Sequence, residues 1–144
     1  KSDGSALFAI EPTGDIRGAG GHKVPLFFWQ EDVAAGQTNV ALNMLGSSTI
    51  SNYPSFGSGS TLGVAVYSNT TVTAGTLTVE PTIHGDPTGL TATLDTSNNR
   101  INWNSQAKDT DTFGQNKFLG ARITTSADFA PTTADIVVMV VVEF

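Results

Sequence analysis

An antiparallel β-sandwich of the jelly-roll type, preceded by a short strand–turn–strand segment, is the fold this sequence predicts. Three observations predict it. Threonine is the commonest residue, at 20 of 144, beside 15 glycines, 12 serines and 12 valines. Threonine and valine are stiff at the first side-chain torsion and favour pleated, half-buried strands. Apolar and polar residues alternate with period two in stretch after stretch, and turn signals separate the stretches at intervals of about 8–14 residues. No stretch carries an apolar stripe of helical spacing. The best helical candidate, residues 31–35, is one turn long and runs into Gly36.

Taken in order, residues 1–22 stand apart from the rest. Leu7, Phe8 and Ile10 make a short apolar strand, Pro12 to Gly14 a turn, and Ile16 and Arg17 a second strand. The tract Gly18-Ala19-Gly20-Gly21 then reads as a hinge. Two strands this small cannot bury a face alone in water, so they are expected to pack on the body or on copies of themselves. The body, residues 23–144, is expected to be one β domain.

Within the body, residues 24–29 (Val-Pro-Leu-Phe-Phe-Trp) are apolar on both faces. Val40, Leu42 and Met44 then alternate with polar or small neighbours. Leu62, Val64 and Val66 share one phase, as do Leu77 and Val79, and then Leu90, Ala92 and Leu94. Ile101 and Trp103 alternate with Arg100, Asn102 and Asn104, which predicts that Trp103 lies in the core. Leu119, Ala121 and Ile123 complete the alternating set. Each such strand has one apolar and one wet face, as in antiparallel sheet packed on one side. The turns expected between them are Ala35-Gly36, Ser58-Gly59, Ala74-Gly75, Asp86-Pro87, Ser97-Asn98-Asn99 and Ala130-Pro131.

The last strand, residues 136–142, reads Ile-Val-Val-Met-Val-Val-Val and again has no wet face. Such a strand must be covered on both sides, and as a bare edge it would be an aggregation hazard. Two explanations stand: a central strand under a loop, or a subunit interface formed by Ile136, Val138, Val140 and Val142. An immunoglobulin-like sandwich is the alternative fold, without its cysteine signature.

Composition narrows the function. Seven scattered Lys and Arg against thirteen Asp and Glu give a net charge of −6, which does not make a phosphate-neutralising stripe; no nucleic-acid partner is expected. With no cysteine, disulfides, thiolate metal sites and cysteine nucleophiles are excluded. The longest apolar run has seven residues, against the roughly 20 of a membrane helix, so no membrane insertion is expected.

Candidate chemistry is sparse. His22 and His84 are the only histidines, and neither has a second histidine at ligand spacing. No Gly-x-Ser-x-Gly elbow and no phosphate-binding glycine loop occurs. Asn104, Asp109 and Asp111 put oxygen ligands in one stretch, but without the helix-flanked calcium pattern they read as an ordinary polar loop. Glu11, Glu80, Glu143 and the Glu31-Asp32 pair carry no spacing that makes them a catalytic couple. Neither an enzyme nor a cofactor is expected. Among the aromatics, Tyr53, Phe56 and Trp29 are the candidates for stacking on a sugar ring, Tyr53 and Phe56 because Tyr53-Pro54-Ser55-Phe56 reads as an exposed loop. Asn69-Thr70-Thr71 matches a glycosylation sequon, of consequence only in a eukaryotic secretory route.

The opening Leu7-Phe8-Ala9-Ile10 through Gly14-Asp15-Ile16 resembles a unit found in bacteriophage tail fibres and spikes. Residues 73–79 and 89–94, and above all residues 119–135 with the valine strand and Glu143-Phe144 behind them, are similar to a jelly-roll-like domain of phage structural proteins. The resemblance implies a non-enzymatic homotrimer located in the virion as a fibre, spike or capsid decoration. It would attach to other virion proteins through its N-terminal segment and could bind a host-surface glycan. A carbohydrate-binding module using loop aromatics is the alternative function.

Overall fold

The computed structural model describes residues 8–10, 16–18 and 21–144. Strands β1 (Phe8–Ile10) and β2 (Ile16–Gly18) pair antiparallel, with Phe8 opposite Gly18. The rest of the expected attachment segment, residues 1–7, 11–15 and 19–20, lies outside the described residues.

The body is all β, with every strand pair antiparallel. One sheet, called here the outer sheet, has the order β11 (Ile101–Ser105), β7 (Gly59–Ser68), β14 (Ile136–Glu143), β3 (Lys23–Gln30) and β5 (Asn43–Met44), with β12 (Asp111–Phe113) also on β7. The opposing sheet has the order β10 (Ala92–Leu94), β8 (Leu77–Ile83), β13 (Phe118–Thr125) and β4 (Val40–Ala41). There β6 (Asn52–Pro54) joins β13 and β9 (Asp86–Pro87) joins β8. The pairing is nested: β3 lies beside β14, β4 beside β13, β7 beside β11 and β8 beside β10. Among the described residues there is no helix, and the turn expected at 31–35 is irregular.

The core forms where the two sheets face each other. Leu26, Phe28, Val64, Val66, Val138 and Val140 come from one side, Leu77, Val79, Leu94, Leu119, Ala121 and Ile123 from the other. Full burial of side chains of this size contributes about 1.5–3 kcal/mol each.

Four sequence expectations change. Residues 40–44 are not one strand. The chain breaks at Leu42, which is buried, so that β4 serves one sheet and β5 the other. On β7 the pairing with β14 jumps from Val141–Gly63 to Val142–Thr61. This bulge sets Leu62 out of phase with Val64 and Val66 and turns it to the outside.

Next, β14 is a central strand, paired along its length with β7 and β3. Ile136, Val138, Val140 and Val142, expected at an interface, are the residues that face the opposing sheet and are almost wholly buried within one chain. The outer side of that strand belongs to Val137, Met139 and Val141. Finally, β11 has the opposite phase from the one its polarity predicts. Ile101 is 64% and Trp103 69% exposed, while Asn102 Nδ2 donates to the Thr93 carbonyl at 2.7 Å and Asn104 Nδ2 to the Thr91 carbonyl at 3.0 Å. These amides close the gap between two sheet edges by satisfying carbonyls that have no strand partner.

Candidate functional site: an apolar groove on the outer sheet

The two sheets present very different faces to the outside. On the opposing sheet that face is wet: Thr78 and Thr93 share a hydroxyl–hydroxyl bond of 2.9 Å, and Arg122 donates twice to one Glu80 oxygen, at 2.8 and 2.6 Å. On the outer sheet it is carbon.

The strand register arranges that face in three rows. Ile101, Tyr67, Val137 and Trp29 form one, from β11 across β7 and β14 to β3. The second is Trp103, Ala65, Met139 and Phe27, and the third Ser105, Gly63, Val141 and Pro25. Gly63 and Ala65 are the small members, so the line of β7 sinks between larger side chains on both sides. Two adjoining hollows result, of about 380 and 220 Å³, which share Ala65, Ile101 and Met139. Lys23 closes one end. At the other, Arg100 donates to the Tyr67 hydroxyl at 3.0 Å and to the Asn69 carbonyl at 2.7 Å, with its guanidinium 5.7 Å from the Tyr67 ring centre.

Apolar faces with this little polar punctuation are in general features of interaction surfaces, because water against them is costly. Sugars need converging hydrogen-bond groups as well as a flat ring, and the groove floor supplies almost none. Its chemistry suits another apolar surface.

The sugar-stacking candidates stand in three different settings. Trp29 is on the outer face but half-buried, its indole N–H donating to the Ser47 carbonyl at 3.1 Å. Tyr53 belongs to β6 rather than a loop, packs edge-on against Phe28 with ring centres 5.5 Å apart, and donates to the Phe27 carbonyl. Phe56 is 77% exposed and stacks on Phe144 at 4.3 Å. Sequence reasoning missed Trp103 and Ile101, since their alternation with asparagine reads as apolar-inward. The small outward residues Gly63 and Ala65 were the available hint of a groove.

Several other candidates are engaged by neighbours within the fold. Asp111 accepts from Gln106 Nε2 at 2.7 Å, and among the described residues no three His, Cys, Asp or Glu gather as a metal site. His84 stacks on Phe118 at 4.8 Å, and Asn69 of the sequon donates its amide to Asp135 at 2.8 Å. Lys108 is held above its ordinary pKa, first by its hydrogen bond to Glu143 and then by that carboxylate's charge.

No protein-family model matches the chain, and no curated protein matches it significantly.

Proposed function

We propose that the chain is a non-enzymatic structural subunit of a bacteriophage particle, assembling as a homotrimer through the apolar face of its outer sheet. The observation that carries this reading is the exposure of Ile101, Trp103, Tyr67 and Val137 on one face, where the opposite face carries the Thr78–Thr93 and Arg122–Glu80 polar pairs. A chain acting alone has no use for such an asymmetry; a chain that docks on copies of itself does. The resemblance of residues 119–135 to a jelly-roll-like domain of phage structural proteins, and of the N-terminal segment to a unit of phage tail fibres and spikes, supports the setting. The nested strand pairing supports the jelly-roll form of the sandwich. In this reading residues 1–22 attach the subunit to other virion proteins, and the body projects from the particle.

Light scattering coupled to size exclusion tests it. Three copies of the 15.0-kDa chain give about 45 kDa. The expected result is that mass for the native chain, and a folded monomer for Trp103→Asp. A native monomer, or a trimer indifferent to Trp103→Asp, would overturn the proposal.

A further inference from the structure

Threefold symmetry sets a condition on the apolar groove. Contacts around a threefold axis are heterologous: each joins two different patches, whereas a patch that meets its own copy makes a twofold dimer. A homotrimer built on the groove therefore needs a second, complementary apolar patch on the same chain. The outward face of the opposing sheet, with its Thr78–Thr93 and Arg122–Glu80 pairs, does not supply one.

The N-terminal ribbon of β1 and β2 does. Phe8 pairs with Gly18 and Ile10 with Ile16, while Ala9 pairs with Arg17. Directly opposed residues share a face of a two-stranded sheet, so one face of the ribbon holds Phe8, Ile10 and Ile16 and the other holds Ala9 and Arg17. A ribbon of two strands is at best marginal in water and needs a surface on which to bury its apolar face. The groove, with its twin hollows on either side of Ala65, is such a surface. Charge agrees with the fit. Lys23 and Arg100 stand at the two ends of the groove, and among the described residues neither has a carboxylate partner. The stretch joining the two strands of the ribbon contains Glu11 and Asp15.

The entry to β3 favours a neighbour's groove over the chain's own. His22 N–H donates to the Phe144 carbonyl at 3.1 Å, and the His22 carbonyl accepts from Phe144 N–H at 3.0 Å. These bonds extend the β3–β14 ladder beyond Lys23, so the chain enters β3 in the plane of the sheet, from past its end and not from over its face.

We propose that the Phe8–Ile10–Ile16 face of the ribbon of one copy packs as a further layer on the apolar groove of the next copy, so that each subunit of the trimer gives one ribbon and receives one. This rests on the trimeric reading above and names the second half of its contact. The Ala9–Arg17 face stays outward, free for attachment to the particle.

Light scattering on variants of the full chain tests it. Phe8→Asp should convert the trimer into a monomer, as Trp103→Asp does, with the circular dichroism of the body unchanged. An equimolar mixture of these two variants decides where the ribbon docks. The first keeps its groove and the second its ribbon, so one intact contact remains. Two copies of the 15.0-kDa chain give about 30 kDa, and the mixture should show that mass where each variant alone is monomeric. Adding Ile10→Asp to the Trp103→Asp chain should abolish it. A trimer that persists in Phe8→Asp would overturn the ribbon contact while leaving the groove trimer standing, whereas a native monomer would overturn both. A mixture still monomeric at millimolar protein would also sink the proposal, since the ribbon would then serve its own chain or other ribbons.

Discussion

Gly75 shows how narrowly single residues are constrained here. Its φ is +68°, and a Cβ would sit 2.7 Å from the Phe129 backbone nitrogen and 2.4 Å from Ser126 Oγ. The first contact is with backbone, which cannot swing away. Gly75→Ala should therefore cost about 2–4 kcal/mol, read as a shift in the denaturation midpoint. Asp95 works by charge instead. Its carboxylate accepts the N–H groups of Asn98 and Ser97, at 2.7 and 2.8 Å, and these bonds hold its pKa below 3.8. A carboxyl with a lowered folded pKa stabilises the fold above its unfolded value, and that contribution fades as pH falls through the folded one. Asp95→Asn should remove that part of the acid sensitivity, so the drop in melting temperature below about pH 4 becomes shallower than in the native chain.

At the scale of the element, β11 and β14 are the instructive strands. An unbroken apolar run located β14 and hydrophobic alternation located β11, but alternation assigned the faces of β11 the wrong way round. Alternation specifies that one face differs from the other; which face turns inward depends on what waits there. On β11 the inner neighbours are the bare carbonyls of residues 91 and 93 at the edge of the opposing sheet. Two asparagines can satisfy them where an isoleucine and a tryptophan cannot. The expected costs invert accordingly. Asn102→Ala should destabilise the monomer by about 1–2 kcal/mol, whereas Trp103→Ser should change monomer stability by no more than about 0.5 kcal/mol. Urea titration of both variants at dilutions where each is monomeric checks the order. On β14 alternation says nothing, because both phases are apolar. Val138→Asp should abolish folding, as it buries an unpaired charge, and Val137→Asp should give a soluble, folded monomer; circular dichroism and light scattering read the two outcomes.

For the whole molecule, the sandwich carries one wet and one apolar flank, and the strand register alone produces the second. Three rows crossing β11, β7, β14 and β3 bring together residues as far apart in the chain as Phe27, Ala65, Trp103 and Met139. The attachment role given to the N-terminal segment is testable at this scale. A chain lacking residues 1–21 should keep the circular dichroism of the folded body and fail to co-sediment with particles that the full chain decorates. Retained co-sedimentation would place attachment on the body instead.

The sequence by itself determined the class of fold. Its threonine and valine content, its period-two runs and its turn residues each act locally, over a few bonds or a single turn, so each is visible in a one-dimensional string. It also announced that residues 136–142 needed cover on both sides. Only the tertiary structure decided which cover each side receives: the opposing sheet for Val138 and Val140, and the apolar groove with its uncovered face for Val137 and Met139. The same holds for the orientation of Trp103, the split of residues 40–44 between two sheets, and the pairing of Ser60 with Glu143. All of these depend on register and on groups supplied by distant strands, and neither is encoded in the spacing of neighbours along the chain.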